Sequence, residues 1–118
     1  DSIVKKRILL FKEYEKNLKH ENISIIGKSR TSKYINCPWL ITIIVKKEKK
    51  KLMKKLRKHR IESAQVHYRN DRYSIFGKRL KNLYHMDRIE NQYLVLPLYP
   101  QMTLADVKRI CNVINSGW

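Results

Sequence analysis

Residues 66–71 read Val-His-Tyr-Arg-Asn-Asp, followed by Arg72 and Tyr73. They bring together an imidazole that can move a proton near neutral pH and a guanidinium shaped to grip a phosphate or carboxylate. Phenol and amide groups lie alongside. Three kinds of loop use such residues. One holds a small anionic substrate through Arg69, with His67, Tyr68, Asn70 and Tyr73 around it. A second grips nucleic acid, with Tyr68, Tyr73 and Phe76 stacking on bases. In the third, Asn70 and Asp71 form an Asx turn that only shapes the backbone. Residue types alone leave all three open.

Other chemistry finds less support. No two of His20, His59, His67 and His85 are three or four residues apart, and no carboxylate is placed to complete a set, so no metal site is expected. No Gly-x-Ser-x-Gly turn is present. The three glycines are scattered, so no glycine-rich phosphate loop exists. No catalytic residue is assigned.

The elements that must position this loop follow from periodicity. The chain has 118 residues, enough for one domain, and 42% hydrophobic residues, enough for a core. Val4, Ile8, Phe11, Tyr14 and Leu18 recur at helical spacing, which predicts a helix over 3–19 with Ser2 as N-cap. A polar link follows over 20–34, with Gly27 as a turn residue and a short strand at 23–26. The β-branched run 39–46 predicts a strand covered on both faces. Residues 47–60 predict a lysine-rich helix with Leu52, Met53 and Leu56 as its apolar stripe; its basic face is read first as solvated, with a nucleic-acid-binding or a membrane-surface helix as the alternatives. Strands are expected over 61–68 and 93–99, with a short helix over 86–92 capped by Asp87. Thr103 opens the last helix with a capping box that uses Asp106. That helix carries a stripe of Leu104, Val107, Ile110, Cys111 and Ile114, and Gly117 stops it. The order predicts an α+β two-layer domain: a small, mainly antiparallel sheet of three or four strands with helices packed on it.

Net charge is +17, which draws polyanions, although a lysine-rich composition explains it equally well. Cys37 and Cys111 lie far apart in apolar contexts, so both are expected as buried free thiols, as fits a reducing cytoplasm. The longest apolar run, 39–45, is too short to span a bilayer, and no membrane partner is expected. The start at Asp1, without methionine and inside a helical pattern, suggests a piece of a longer chain.

Two segments then resemble the DegT/DnrJ/EryC1/StrS family of pyridoxal-phosphate-dependent sugar aminotransferases. HRIESAQVHYRND looks like the family's "GIE…hY" pattern, in the branch reading His-x-Arg-Asn-Asp at His67, Arg69, Asn70 and Asp71. LPLYPQMTLADVKRICNVINSGW looks like its closing signature, and RILLFKEYEKNLKH like its long helix. One departure is Arg60, where the family usually has glycine.

The resemblance implies a parent enzyme that moves an amino group from an amino acid, typically glutamate, to a nucleotide-linked keto sugar, as in cell-surface polysaccharide biosynthesis. Residues 1–20 would be a connecting helix and 21–118 the small C-terminal domain. The large domain, with the cofactor's lysine and phosphate cup, would be absent. No cofactor would then bind this segment alone, and the segment would be inactive. The family is typically homodimeric and includes dehydratases using the same cofactor. In this reading the 67–73 loop meets substrate: Arg69 faces a diphosphate or carboxylate, and His67 and Tyr68 face the sugar, with Asn70 and Tyr73 beside them. The rival reading is a small basic nucleic-acid-binding protein, carried by the 46–60 helix and the net charge; nucleic acid is the less expected partner.

Overall fold

The computed structural model describes residues 2–28 and 36–118. Its elements are α1 (Ser2–Asn17), β1 (Ile23–Ile25), β2 (Ile41–Val45), α2 (Lys49–Lys58), α3 (Tyr84–Ile89), β3 (Tyr93–Leu96) and α4 (Leu104–Asn115). Two 3-10 turns, Asn70–Arg72 and Ser74–Phe76, interrupt the long passage from α2 to α3. The strands form an antiparallel sheet in the order β1-β2-β3. This is the expected α+β class. The part of the polar link over 29–35 lies outside the described residues.

Strand alternation divides the sheet into two working faces. Ile41 pairs with Leu96 and Ile43 with Leu94, and all four point into the main core with Val45. Leu10, Phe11 and Tyr14 of α1 and Leu18 just after it close that core, with Leu52 and Leu56 of α2 and Val107, Ile110, Cys111 and Ile114 of α4. On the opposite face, Thr42 pairs with Val95 and Ile44 with Tyr93. Val95 and Tyr93 are buried but stand outside the main cluster, while Thr42 and Ile44 are half-buried. The expectation that β2 is covered on both faces is therefore corrected: one face is sealed by helices and the other only partly covered.

The expected strand over 61–68 is also corrected. Only Ala64 exchanges backbone hydrogen bonds with Val95, at 3.3 and 2.8 Å. One residue later the Gln65 side chain donates to Glu90 O at 2.7 Å and accepts from Lys49 Nζ at 2.7 Å. These bonds accompany the segment's departure from the sheet edge after a single bridge. Other boundaries shift for local reasons. Ser2 lies inside α1 rather than capping it, and Leu10 replaces the exposed Val4 in the buried stripe. Leu104 is exposed at the first turn of α4, and Cys37 is exposed while Cys111 is buried. Burial pushes the Cys111 thiol up to about 12.

The helix ends carry the clearest sequence logic. The Thr103 hydroxyl accepts from Asp106 N at 3.1 Å, and the Asp106 carboxylate accepts from Thr103 N at 2.8 Å, a complete capping box. At the end of α2, Ile61 N donates to Leu56 O at 2.9 Å and Arg60 N to Arg57 O at 2.9 Å. Ile61 is buried near Leu56, completing a Schellman motif with Arg60 at the left-handed position, φ 56°. This is the residue where the resemblance noted above would put glycine. The ends of α2 and α4 also satisfy each other. Lys55 Nζ donates to Gly117 O and to Ser116 Oγ, and Arg109 donates to His59 O, so a carbonyl just beyond each helix takes a cation from the other. Tyr14, deep in the core, donates its hydroxyl to Pro97 O at 2.9 Å and joins α1 to the end of β3.

Two substitutions test these ends by urea denaturation. Arg60→Gly removes the left-handed penalty on a side-chain-bearing residue and is expected to stabilise by about 1 kcal/mol. Thr103→Ala removes the cap and is expected to cost about 1 kcal/mol.

Candidate functional site

The 67–73 loop lies over the partly covered face of the sheet. A shallow groove there is lined by His67, Tyr68, Arg69 and Asn70 together with Thr42, Tyr93 and Val95. What holds the loop is Arg69. Its side chain is 3% exposed. Nε and Nη2 donate to the two carboxylate oxygens of Asp71, each at 2.5 Å, in a bidentate pair. Nη1 donates to Asp87 Oδ1, and Nη2 also reaches Leu80 O at 3.3 Å. Asp71 in turn accepts from Leu80 N at 2.8 Å. One guanidinium thus ties the start of the loop to Leu80 on its way back and to α3.

The network extends outward. Arg79 donates to Asp87 and Glu90, and Glu90 lies 3.8 Å from Arg69 Nη1. The Gln65–Glu90 and Lys49–Gln65 bonds carry it back to the first residue of α2. No buried side-chain polar atom among the described residues lacks a partner, as a charge cluster away from water requires.

These contacts revise two expectations. Asp71 does not close an Asx turn on its own backbone; it reaches nine residues ahead to Leu80. Asp87 does not cap α3; it sits within the helix, and its carboxylate is taken by Arg69 and Arg79. The remaining loop residues face solvent. His67, Tyr68, Asn70 and Tyr73 are exposed, with the His67 ring 6.3 Å from that of Trp39. The structure brings these four to one surface and withdraws Arg69 from it.

Sequence reasoning passed over Arg72. Its guanidinium lies 4.4 Å from the Tyr68 ring centroid and 5.5 Å from that of Tyr73. It has no carboxylate partner among the described residues. Arg72 lines a small polar cleft with Tyr68, Arg69, Arg79 and Glu90. Two aromatic rings hold the cation in place while leaving its N–H groups free for an anion. The available signal was its spacing: Tyr68 and Tyr73 flank it at four residues and one.

The electrostatics follow from the pairing. The Arg69 hydrogen bonds, opposed by desolvation and aided by Leu80 N, hold the Asp71 carboxyl down at about 2. Arg69 likewise lowers Asp87, with help from Arg79. The Asp71 hydrogen bond raises Arg69 and the Glu90 hydrogen bond raises Arg79, so both cations stay charged at any physiological pH.

With this geometry in hand, the chain can be set beside known proteins. The profile of the DegT/DnrJ/EryC1/StrS aminotransferase family matches residues 1–115. The chain belongs to that family. Solved structures share the fold of this family member closely. The sugar aminotransferase CalS13 from Micromonospora echinospora superposes with a TM-score of 0.86 at 21% identity over 98% of this chain. AtS13 from Actinomadura melliaura gives 0.88 at 19% identity, also over 98% of this chain. A putative sugar aminotransferase from Streptococcus pneumoniae, Spr1654, gives 0.84 at 15% identity over 98% in its pyridoxal phosphate form. At these identities the likeness establishes the fold. The family member described here spans 31% of the length of each of these three chains. No curated protein sequence matches it.

The depressed carboxylates set an acid limit. An Asp71 held near 2 when folded, against about 3.9 unfolded, contributes stability that is full above the unfolded value and lost as pH falls through the folded one. Melting temperature is expected to be flat near neutrality and to fall between about pH 5 and pH 2. Asp71→Asn should lower it at neutral pH and flatten that acid slope. Amide exchange at Leu80, whose N–H bonds Asp71, should speed up in the same variant. Unchanged exchange there would remove the clip.

Proposed function

We propose that this chain is the small C-terminal domain of a pyridoxal-phosphate-dependent aminotransferase acting on nucleotide-linked keto sugars, with residues 1–20 as its connecting helix. The family match over residues 1–115 carries the reading, supported by the fold shared with sugar aminotransferases. Glutamate is the expected donor, and a second copy of the enzyme the expected partner. The product would serve cell-surface polysaccharide biosynthesis in the cytoplasm. Among the described residues no helix is long and apolar enough to cross a membrane.

The residues present do not fit the cofactor by themselves. A pyridinium nitrogen calls for an aspartate, yet Asp71 and Asp87 are bound by arginines and Asp106 by its capping box. Lys49, whose ammonium burial disfavours, is spent on Gln65 and Tyr93 O. We therefore assign cofactor binding to the large domain, about twice the length of this chain in the solved relatives, and route no chemistry through these residues.

Their role is recognition. The loop presents His67, Tyr68, Asn70 and Tyr73 to the sugar nucleotide. Arg69, expected to meet a diphosphate or carboxylate, makes four hydrogen bonds within the chain and becomes the residue that positions the loop. Arg72, stacked between two tyrosines, takes the anion-binding role.

The full-length protein, supplied with pyridoxal phosphate, glutamate and a panel of nucleotide-linked keto sugars, is expected to gain an amino group on one of them, seen by mass spectrometry. Absence of any aminated product would overturn the reaction class. Arg72→Ala should raise KM for the nucleotide sugar about tenfold or more, with kcat little changed, as loss of a charged hydrogen bond predicts. An unchanged KM would remove Arg72 from the site.

A further inference from the structure

Seven of the ten residues of α2 are Lys or Arg, and the structure spends only some of them. Lys49 is held by Gln65, Lys51 by Glu48 and Lys55 by the end of α4. Lys50, Lys54, Arg57 and Lys58 have no carboxylate or hydrogen-bond partner among the described residues, and all four are exposed. Lys50, Lys54 and Lys58 follow one another at four-residue steps, with Arg57 beside them. They form a single stripe about 12 Å long at 1.5 Å per residue.

This arrangement works against the helix. Like charges four residues apart destabilise it, and the carboxylate at its start, the N-cap Glu48, is shared with Lys51. The helix stands because Leu52 and Leu56, both fully buried, fix its inner face in the core. The charged face is thus presented outward on a rigid support and gains stability from any surface of opposite charge.

We propose that this outer face of α2 is a peripheral docking site for an anionic lipid bilayer. A plane of headgroups suits it better than a nucleic-acid groove. α2 is anchored in the core by Leu52 and Leu56, with Met53 against it, so it offers a broad side rather than a protruding rod. The stripe consists mainly of lysines, point charges suited to headgroup phosphates and carboxylates. Beside it, Lys51, Lys54, Lys55, Arg57 and Lys58 border a shallow groove closed by Trp118, a half-buried indole of the kind that favours a bilayer's polar boundary. The apolar side of α2 is in the core and unable to insert, so attachment is electrostatic and salt-reversible. The expectation of no membrane partner rested on the lack of a spanning segment, which a surface contact does not need. The site is also separate from the substrate loop: α2 covers the helical face of the sheet, while the 67–73 loop lies over the other. An enzyme lying on α2 keeps that loop free.

The test is vesicle co-sedimentation of the full-length protein. Phosphatidylcholine vesicles containing about 30% phosphatidylserine are expected to bind it, and pure phosphatidylcholine vesicles are not. Binding should vanish at roughly 0.5 M salt. At about fivefold per lysine, Lys50→Gln/Lys54→Gln/Lys58→Gln should weaken binding about 100-fold. Transaminase activity should be unchanged, because these residues touch no part of the substrate loop. A control with the same charge removed at Lys12, Lys16 and Lys28 should lose less than roughly threefold. Equal losses in the two variants would assign binding to overall charge and overturn the site. Binding to neutral vesicles, no binding at low salt, or stronger binding to duplex DNA at equal phosphate would overturn it as well. Membrane binding and transamination are read separately, so failure of one leaves the other intact.

Discussion

The antiparallel pairing of β2 with β3 is the constraint on which the rest depends. Because side chains alternate along a strand, the register Ile41–Leu96, Thr42–Val95, Ile43–Leu94 sends one set of residues under the helices and the other toward the 67–73 loop. A slip of one residue would exchange the faces. A slip of β3 would push Leu94 and Leu96 out of the core and turn Tyr93 and Val95 into it. Turning Leu94 and Leu96, both almost fully buried, out to solvent would cost about 1.5–3 kcal/mol each. Such costs hold the register, and the register places everything on either side.

Two kinds of force then act on the two faces. Under the helices the forces are apolar and non-directional, with few polar links: Tyr14 to Pro97, and the exchange of cations between the ends of α2 and α4. Over the opposite face little apolar surface is available, and Ile75 and Phe76 are 85% and 63% exposed. Order there comes from charge pairing. A guanidinium whose bonds are all made inside the chain is a rigid joint, because its planar fork fixes distance and direction together. The same geometry that makes arginine a good ligand for phosphate makes Arg69 a good strut for a loop, and only the identity of its partners separates the two roles.

Much of this was legible in the sequence. The α4 capping box, the β2 and β3 strands and the Leu52–Leu56 anchor of α2 all appear where periodicity and cap chemistry put them. They depend on neighbours within a few residues, and such interactions are written locally. The left-handed turn after α2 was legible only as a departure, Arg60 standing where related sequences have glycine. The structure shows the backbone keeping its conformation despite the side chain.

What tertiary structure alone decided is the use of each charge. In VHYRND the types and spacing of His67, Tyr68, Arg69 and Asn70 marked a loop able to bind an anion, and the loop does carry four of its five candidates to the surface. Sequence could not assign the guanidinium, because Arg69's partners come from 11 and 18 residues along the chain as well as from Asp71 next to its neighbour. Nor could it divide the lysines of α2 into those spent on contacts and those left free, since the partners of Lys49 and Lys55 lie on β3, on Gln65 and at the end of α4. Helices and strands follow from short-range pattern. Which cation is a strut and which is available to a ligand follows from where distant carboxylates and carbonyls arrive once the sheet has closed.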